Sequence, residues 1–148
     1  MREIILWVQQ QLMFPDGYAA NLKRGANLHK LKIFGLKSHD WHIWIEWVMP
    51  VMLRGFILED EWLVLAELSY FFRVLCAKEL SPGLLEEVEE LAPELLCKLD
   101  KTFPPGFFNP MQHLILHLPT EARLGGPVQN RWCYPTKRMQ KTLREKCK

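Results

Sequence analysis

The sequence predicts an all-α fold, a single domain of about five or six short, proline-punctuated helices with an irregular N-terminal segment and a Gly-Gly-Pro loop. Three observations carry this. Apolar residues recur in steps of three and four, as in Trp41, Ile45, Val48 and Met49, and again in Val64, Leu68, Phe71 and Leu75. Cap-plus-proline pairs stand at Ser81-Pro82 and Asn109-Pro110, where the polar side chain can satisfy free N–H groups and proline takes the first helical position. Ten prolines spread over 148 residues keep the periodic stretches short.

Taken in order, Arg2 to Met13 can form a short helix, closed by the turn-forming string Phe14-Pro15-Asp16-Gly17. Residues 18–37 have little periodicity and read as loop, with a short strand near Leu31 to Phe34. Ser38 is placed to cap the next helix, which Pro50 should kink or end. Asp60 can cap a following helix that is apolar around most of its circumference and so belongs at the centre. The helix from Pro82 carries Glu86, Glu87, Glu89 and Glu90 in its early turns, where the dipole favours negative charge. Pro93 should break or bend that helix before Leu95 to Leu99, and the glutamates should form a solvated face. A helix from Pro110 should end before Pro119, and Leu124 to Tyr134 reads as irregular. Pro135 opens a last, strongly basic helix. The expected organisation is thus 1–37 as N-terminal helix and loop, 38–135 as helical body, and 136–148 as a basic helix cut short.

Composition narrows the function classes. With 49% hydrophobic residues and six tryptophans, the chain is globular material. Its longest apolar runs, Ile4 to Val8 and Ile43 to Leu53, fall short of the roughly 18–20 residues that span a bilayer. The N-terminal run also lacks a small-residue cleavage site. The expectation is an intracellular protein, nuclear or cytoplasmic, without membrane contact and with no small-molecule substrate indicated. Cysteines at 76, 97, 133 and 147 are too sparse for a disulfide framework and read as idle thiols. The net charge of +2 hides an asymmetry: residues 38–130 hold six Lys/Arg against fourteen acids, whereas residues 131–148 hold seven against Glu145 alone. A basic end on an acidic body can steer a partner.

Two strings resist explanation by packing: Gly35-Leu36-Lys37-Ser38-His39-Asp40-Trp41-His42, and Leu124-Gly125-Gly126-Pro127-Val128-Gln129-Asn130-Arg131-Trp132-Cys133-Tyr134-Pro135. With Ala66 to Arg73 and Phe103-Pro104-Pro105-Gly106-Phe107-Phe108, they resemble the domain of unknown function that follows the transposase domain in plant CACTA (En/Spm-type) transposons. The resemblance runs from about Phe14 to Pro135. It implies a transposon-derived chain, either a transposase-associated helical domain or a host descendant of one. It also implies, for the parent transposase, an RNase H-like nuclease whose three acids hold two divalent metal ions. Two of those acids are expected upstream of this chain. The third is expected shortly after Tyr134-Pro135, where Lys137 stands instead, and an ammonium cannot ligate a cation as a carboxylate does. Glu121 is the nearest spare carboxylate and reads as part of an exposed turn. No catalytic residue is therefore assigned, and the chain is expected to have no catalytic activity of its own.

Three candidate sites remain. His113 and His117 lie four apart on one helix and can supply two ligands to zinc, the one cofactor suggested. By the resemblance they correspond to the histidine half of a zinc site whose cysteine half lies upstream. The other reading is a pair buried beside Met111, Leu114 and Ile115 and tied to backbone. His39, Asp40 and His42 gather at a helix start, as a metal or phosphate cluster or as helix capping and packing. No serine or cysteine nucleophile adjoins them in sequence. Finally, Arg131, Lys137, Arg138, Lys141, Arg144 and Lys148 are candidates for nucleic-acid binding, four of them on one helical stripe. The partners in view are DNA and transposase subunits; the alternative for the tail is a solvated face.

Overall fold

The computed structural model describes residues 2–10, 26–27, 29, 32–33, 35–107 and 110–147. Among these residues the all-α expectation holds. The exception is a two-residue antiparallel pairing of β1 (Ala26–Asn27) with β2 (Lys32–Ile33), in the register Ala26 to Ile33 and Asn27 to Lys32. The expected strand near 31–34 is thus present at its two central residues. Leu31, Phe34, Asn109 and the Phe14-Pro15-Asp16-Gly17 turn lie outside the described residues.

Helix α1 (Arg2–Gln10) buries Ile5 and Val8, three residues apart on one face. They meet Ile43, Trp44, Val48, Met49 and Met52 in a first apolar cluster. Those five come from one continuous helical rod: α2 (Ser38–Ile43), a π-helical turn (Trp44–Val48) and α3 (Met49–Leu53). The wide turn ends at Val48, two residues before Pro50. A regular helix would need the N–H that proline lacks and would press its ring against the carbonyl four residues back. Pro50 therefore widens the rod locally without ending it.

The long helices α4 (Glu59–Leu75) and α5 (Pro82–Thr102) pack against each other and form the second cluster. On α4 the contributors are Val64, Phe71, Val74 and Leu75. On α5 they are Leu85, Val88, Ala92, Leu95 and Leu99, spaced three, four, three and four. Burying each large side chain of this kind stabilises by about 1.5–3 kcal/mol. Leu65 of α4 belongs to the first cluster, while Leu68 and Phe103 pack against both, so α4 is central as its all-round apolar pattern implies. Helix α6 (Pro110–His113) runs through a 3-10 turn (Leu114–Leu116) towards α7 (Leu118–Gly125), and Ile115 and Ala122 close the second cluster. A 3-10 turn (Val128–Arg131) leads to α8 (Tyr134–Lys146). No helix among the described residues is long and apolar enough to cross a membrane.

Several local expectations need correction. Ser38 is the first helical residue and Lys37 the cap; the carboxylate of Asp40, at the third position, reaches back and accepts the Lys37 N–H at 2.8 Å, the return half of a capping box. Likewise Glu61, not Asp60, reaches back to the N–H of Leu58 at 3.3 Å. Pro93 does not break α5, which continues through it; it lies on the exposed side, where water can take the carbonyl it leaves free. Pro119 does not merely follow a helix; it is buried in the first turn of α7, a helix read from sequence as irregular chain at its end. The glutamates of α5 do lie at the surface as expected, with ion pairs among them: Glu89 pairs with Arg123, and Glu94 holds Lys98, which Glu67 of α4 also holds at 2.7 Å. Those two carboxylates raise the pKa of Lys98, Glu67 more than Glu94.

Candidate functional site

The fold brings the two unexplained strings together. His42, from the first, meets Trp132, from the second, edge to face with ring centres 4.9 Å apart. Around this contact opens a cleft of ≈ 430 Å³ lined by Ser38, Trp41, Ile45, Glu46, Phe72 and Cys76 as well. The walls come from the rod, from the end of α4 and from the Gly-Gly-Pro loop.

Each wall is held in place by backbone chemistry. The Ser69 hydroxyl, 1% exposed, donates to the Ile45 carbonyl inside the π turn, and the Trp62 indole N–H donates to the Pro50 carbonyl at 2.7 Å. Helix α4 thus pins the rod once within the widened turn and once just beyond it. On the other side, the Gln129 amide donates to the Cys76 carbonyl at 2.6 Å, tying the loop to the end of α4. The loop requires glycine at position 126, and at 125 a side chain would displace a brace. Gly126 has φ +70° and ψ −166°, a region that side chains avoid. A methyl group on Gly125 would lie 2.7 Å from the Arg131 guanidinium, which donates to the carbonyls of Glu121 and Gly126.

At the base of the cleft three metal-ligating side chains converge. A ring nitrogen of His42, a carboxylate oxygen of Glu46 and Cys76 Sγ all lie within 4.8 Å of one another. His42 Nδ1 is 2.7 Å from Glu46 Oε1, and Glu46 is 5% exposed. A buried carboxylate is costly unless it is paired, and here the imidazole is the nearby partner. Burial, and then the neighbouring Glu46 carboxylate, push the Cys76 thiol up to about 12.

The predicted residues divide among several roles. Of His39, Asp40 and His42, Asp40 is a buried helix cap, His39 is exposed, and His42 alone joins the convergent group. His113 and His117 do face each other, Nε2 to Nε2 at 3.2 Å, but both are exposed rather than buried and bonded to backbone. Among the described residues no third histidine, cysteine or carboxylate joins that pair. On α8, Lys137, Lys141 and Arg144 are exposed, while Lys148 and the side chain of Arg138 lie outside the described residues. Arg131 braces the loop and stands 3.9 Å from a Glu121 carboxylate oxygen. Sequence reasoning missed Glu46 and Cys76: the glutamate interrupted an apolar run and the cysteine stood alone. The signal present was His42 and Glu46 at a four-residue spacing on one helix.

The molecule is thus a helical domain with a cleft built where its two least helix-like strings meet. A family model for a domain of unknown function (DUF4218) matches residues 75–148, half of the chain, and the chain belongs to that family. The match takes in Cys76, both members of the histidine pair, Trp132 and α8, and stops short of His42 and Glu46. No curated protein and no solved structure matches the chain.

Proposed function

We propose that this chain is a non-catalytic helical module of a CACTA-type transposon protein, and that it binds nucleic acid through α8. The observation that carries the binding role is the state of that helix. Every side chain described on α8 is exposed, with Lys137, Lys141 and Arg144 at helical spacing along one stripe. A solvated row of cations at this spacing can follow a phosphate backbone and release its counterions. The transposon association rests on the resemblance of the four strings, and the absence of catalysis on Lys137 occupying the place of a carboxylate.

A second reading is supported by the opposite side of the same helix. Met139 and Leu143, four apart, are 64% and 55% exposed, as suits a protein partner such as a transposase subunit. One experiment separates the two. Binding of a labelled duplex DNA is measured by anisotropy against salt concentration, for the whole chain and for a Lys137→Ala, Lys141→Ala, Arg144→Ala variant. The expected result is weaker binding to every sequence, with a salt slope shallower by about 2.7 for three lost phosphate contacts. Equal affinity and slope for both proteins would remove α8 as the contact and favour the apolar side.

A further inference from the structure

We propose that His42, Glu46 and Cys76 form a binding site for a single divalent cation of the zinc class, with its fourth coordination position open to the cleft. The site is independent of the nucleic-acid reading, because it shares no residue with α8.

Geometry is the first argument. Tetrahedral zinc, with bonds of about 2.0–2.3 Å, holds its ligand atoms roughly 3.3–3.8 Å apart. Three atoms already within 4.8 Å of one another reach that arrangement by side-chain adjustment of about 1 Å. The donor set is the second argument. One imidazole, one carboxylate and one thiol suit zinc, whereas calcium and magnesium prefer oxygen donors throughout. The third argument is Glu46 itself, a buried carboxylate whose charge is met by His42 Nδ1 at 2.7 Å from Oε1 and which neighbours the Cys76 thiol, the other two ligands of the site. A cation there would compensate the buried carboxylate charge more fully than the imidazole alone.

Binding would proceed with a defined proton balance. The metal–sulfur bond forms as the Cys76 S–H proton passes to solvent, and His42 binds through a neutral Nδ1 with its proton on Nε2. Three protein ligands leave one position vacant, facing a cleft walled by Trp41, Phe72 and Trp132. A closed structural site would have four protein ligands, so this arrangement admits a water or a small anionic or sulfur ligand from the cleft.

The test is cobalt titration of the whole chain after chelator dialysis, read by thiolate-to-cobalt absorption and the visible bands of a four-coordinate ion. One equivalent should saturate the bands and zinc should abolish them. His42→Ala and Cys76→Ser should lose the thiolate band, while a His113→Ala, His117→Ala variant keeps it. No band from folded protein, or a band that survives in Cys76→Ser, overturns the site and leaves an ordinary His–Glu contact beside an inert thiol. If Cys76→Ser does not fold, the nearly isosteric Glu46→Gln decides. Its cobalt affinity should fall by at least the roughly tenfold that loss of an outer-shell partner costs; an unchanged affinity defeats the proposal.

Discussion

Among single residues, the four thiols of this chain are chemically unequal, and the difference is set by surroundings. Cys97, Cys133 and Cys147 are exposed, whereas Cys76 is partly covered and faces the Glu46 carboxylate. The thiolate is the nucleophile, so burial and a neighbouring negative charge both slow its reaction. In metal-free protein, iodoacetamide at mildly alkaline pH should therefore modify the three exposed cysteines first and Cys76 last. Peptide mass spectrometry over a time course reads the order, and unfolding in urea should erase it. Cys76 reacting as fast as Cys97 in the native chain would mean that the base of the cleft is open to solvent. The sequence marked all four as idle thiols, which describes Cys76 without its neighbour. Glu46 comes from a different helix thirty positions away, and no local pattern announces that approach.

At the level of the element, the decisive feature is the π-helical turn before Pro50. Pro50 was legible as a disturbance, but its consequence was not, because a proline can end a helix, bend it or widen it according to what packs on the freed carbonyls. Here α4 supplies the answer through Ser69, whose hydroxyl caps the Ile45 carbonyl in a site excluded from water. Ser69→Ala removes the donor and leaves a buried carbonyl unpaired, at a cost of about 1–3 kcal/mol. Urea unfolding should show this as a lower midpoint with an unchanged slope. A midpoint within error of the parent would mean that the wide turn is held by Pro50 and its packing alone. The same contrast explains the capping errors. Ser38 and Asp60 are good capping residues, but the acids two positions further in from Ser38 and one from Asp60 make the observed bonds. Helix starts were legible to within a residue or two. Which side chain closes them depends on the backbone angle at entry, and that is set by the packing of the chain before it.

Across the whole molecule, the periodic pattern was enough to place α4 and α5 and to put α4 at the centre, because an apolar surface wider than one stripe must meet neighbours on more than one side. The meeting of the two strings at the cleft was not legible, since it depends on the path of a loop stapled by Gln129 and Arg131 rather than on any periodicity. The family match raises a question at this scale. It begins at Leu75, the last residue of α4, and so divides the second apolar cluster. Without α4, the row of Leu85, Val88, Leu95 and Leu99 on α5 loses Val64, Phe71 and Val74. Each large side chain left uncovered forfeits about 1.5–3 kcal/mol. A handful of such losses matches the whole stability of about 5–15 kcal/mol typical of a domain. The matched segment is therefore a unit of sequence and not of folding. Residues 75–148 expressed alone should show a broad, non-cooperative melt by circular dichroism, whereas the whole chain should unfold in one transition, because Leu68 and Phe103 join its two clusters. A sharp transition in the shorter piece would mean that α5 to α8 close their own core, and that the rod carrying His42 and Glu46 is an addition to it.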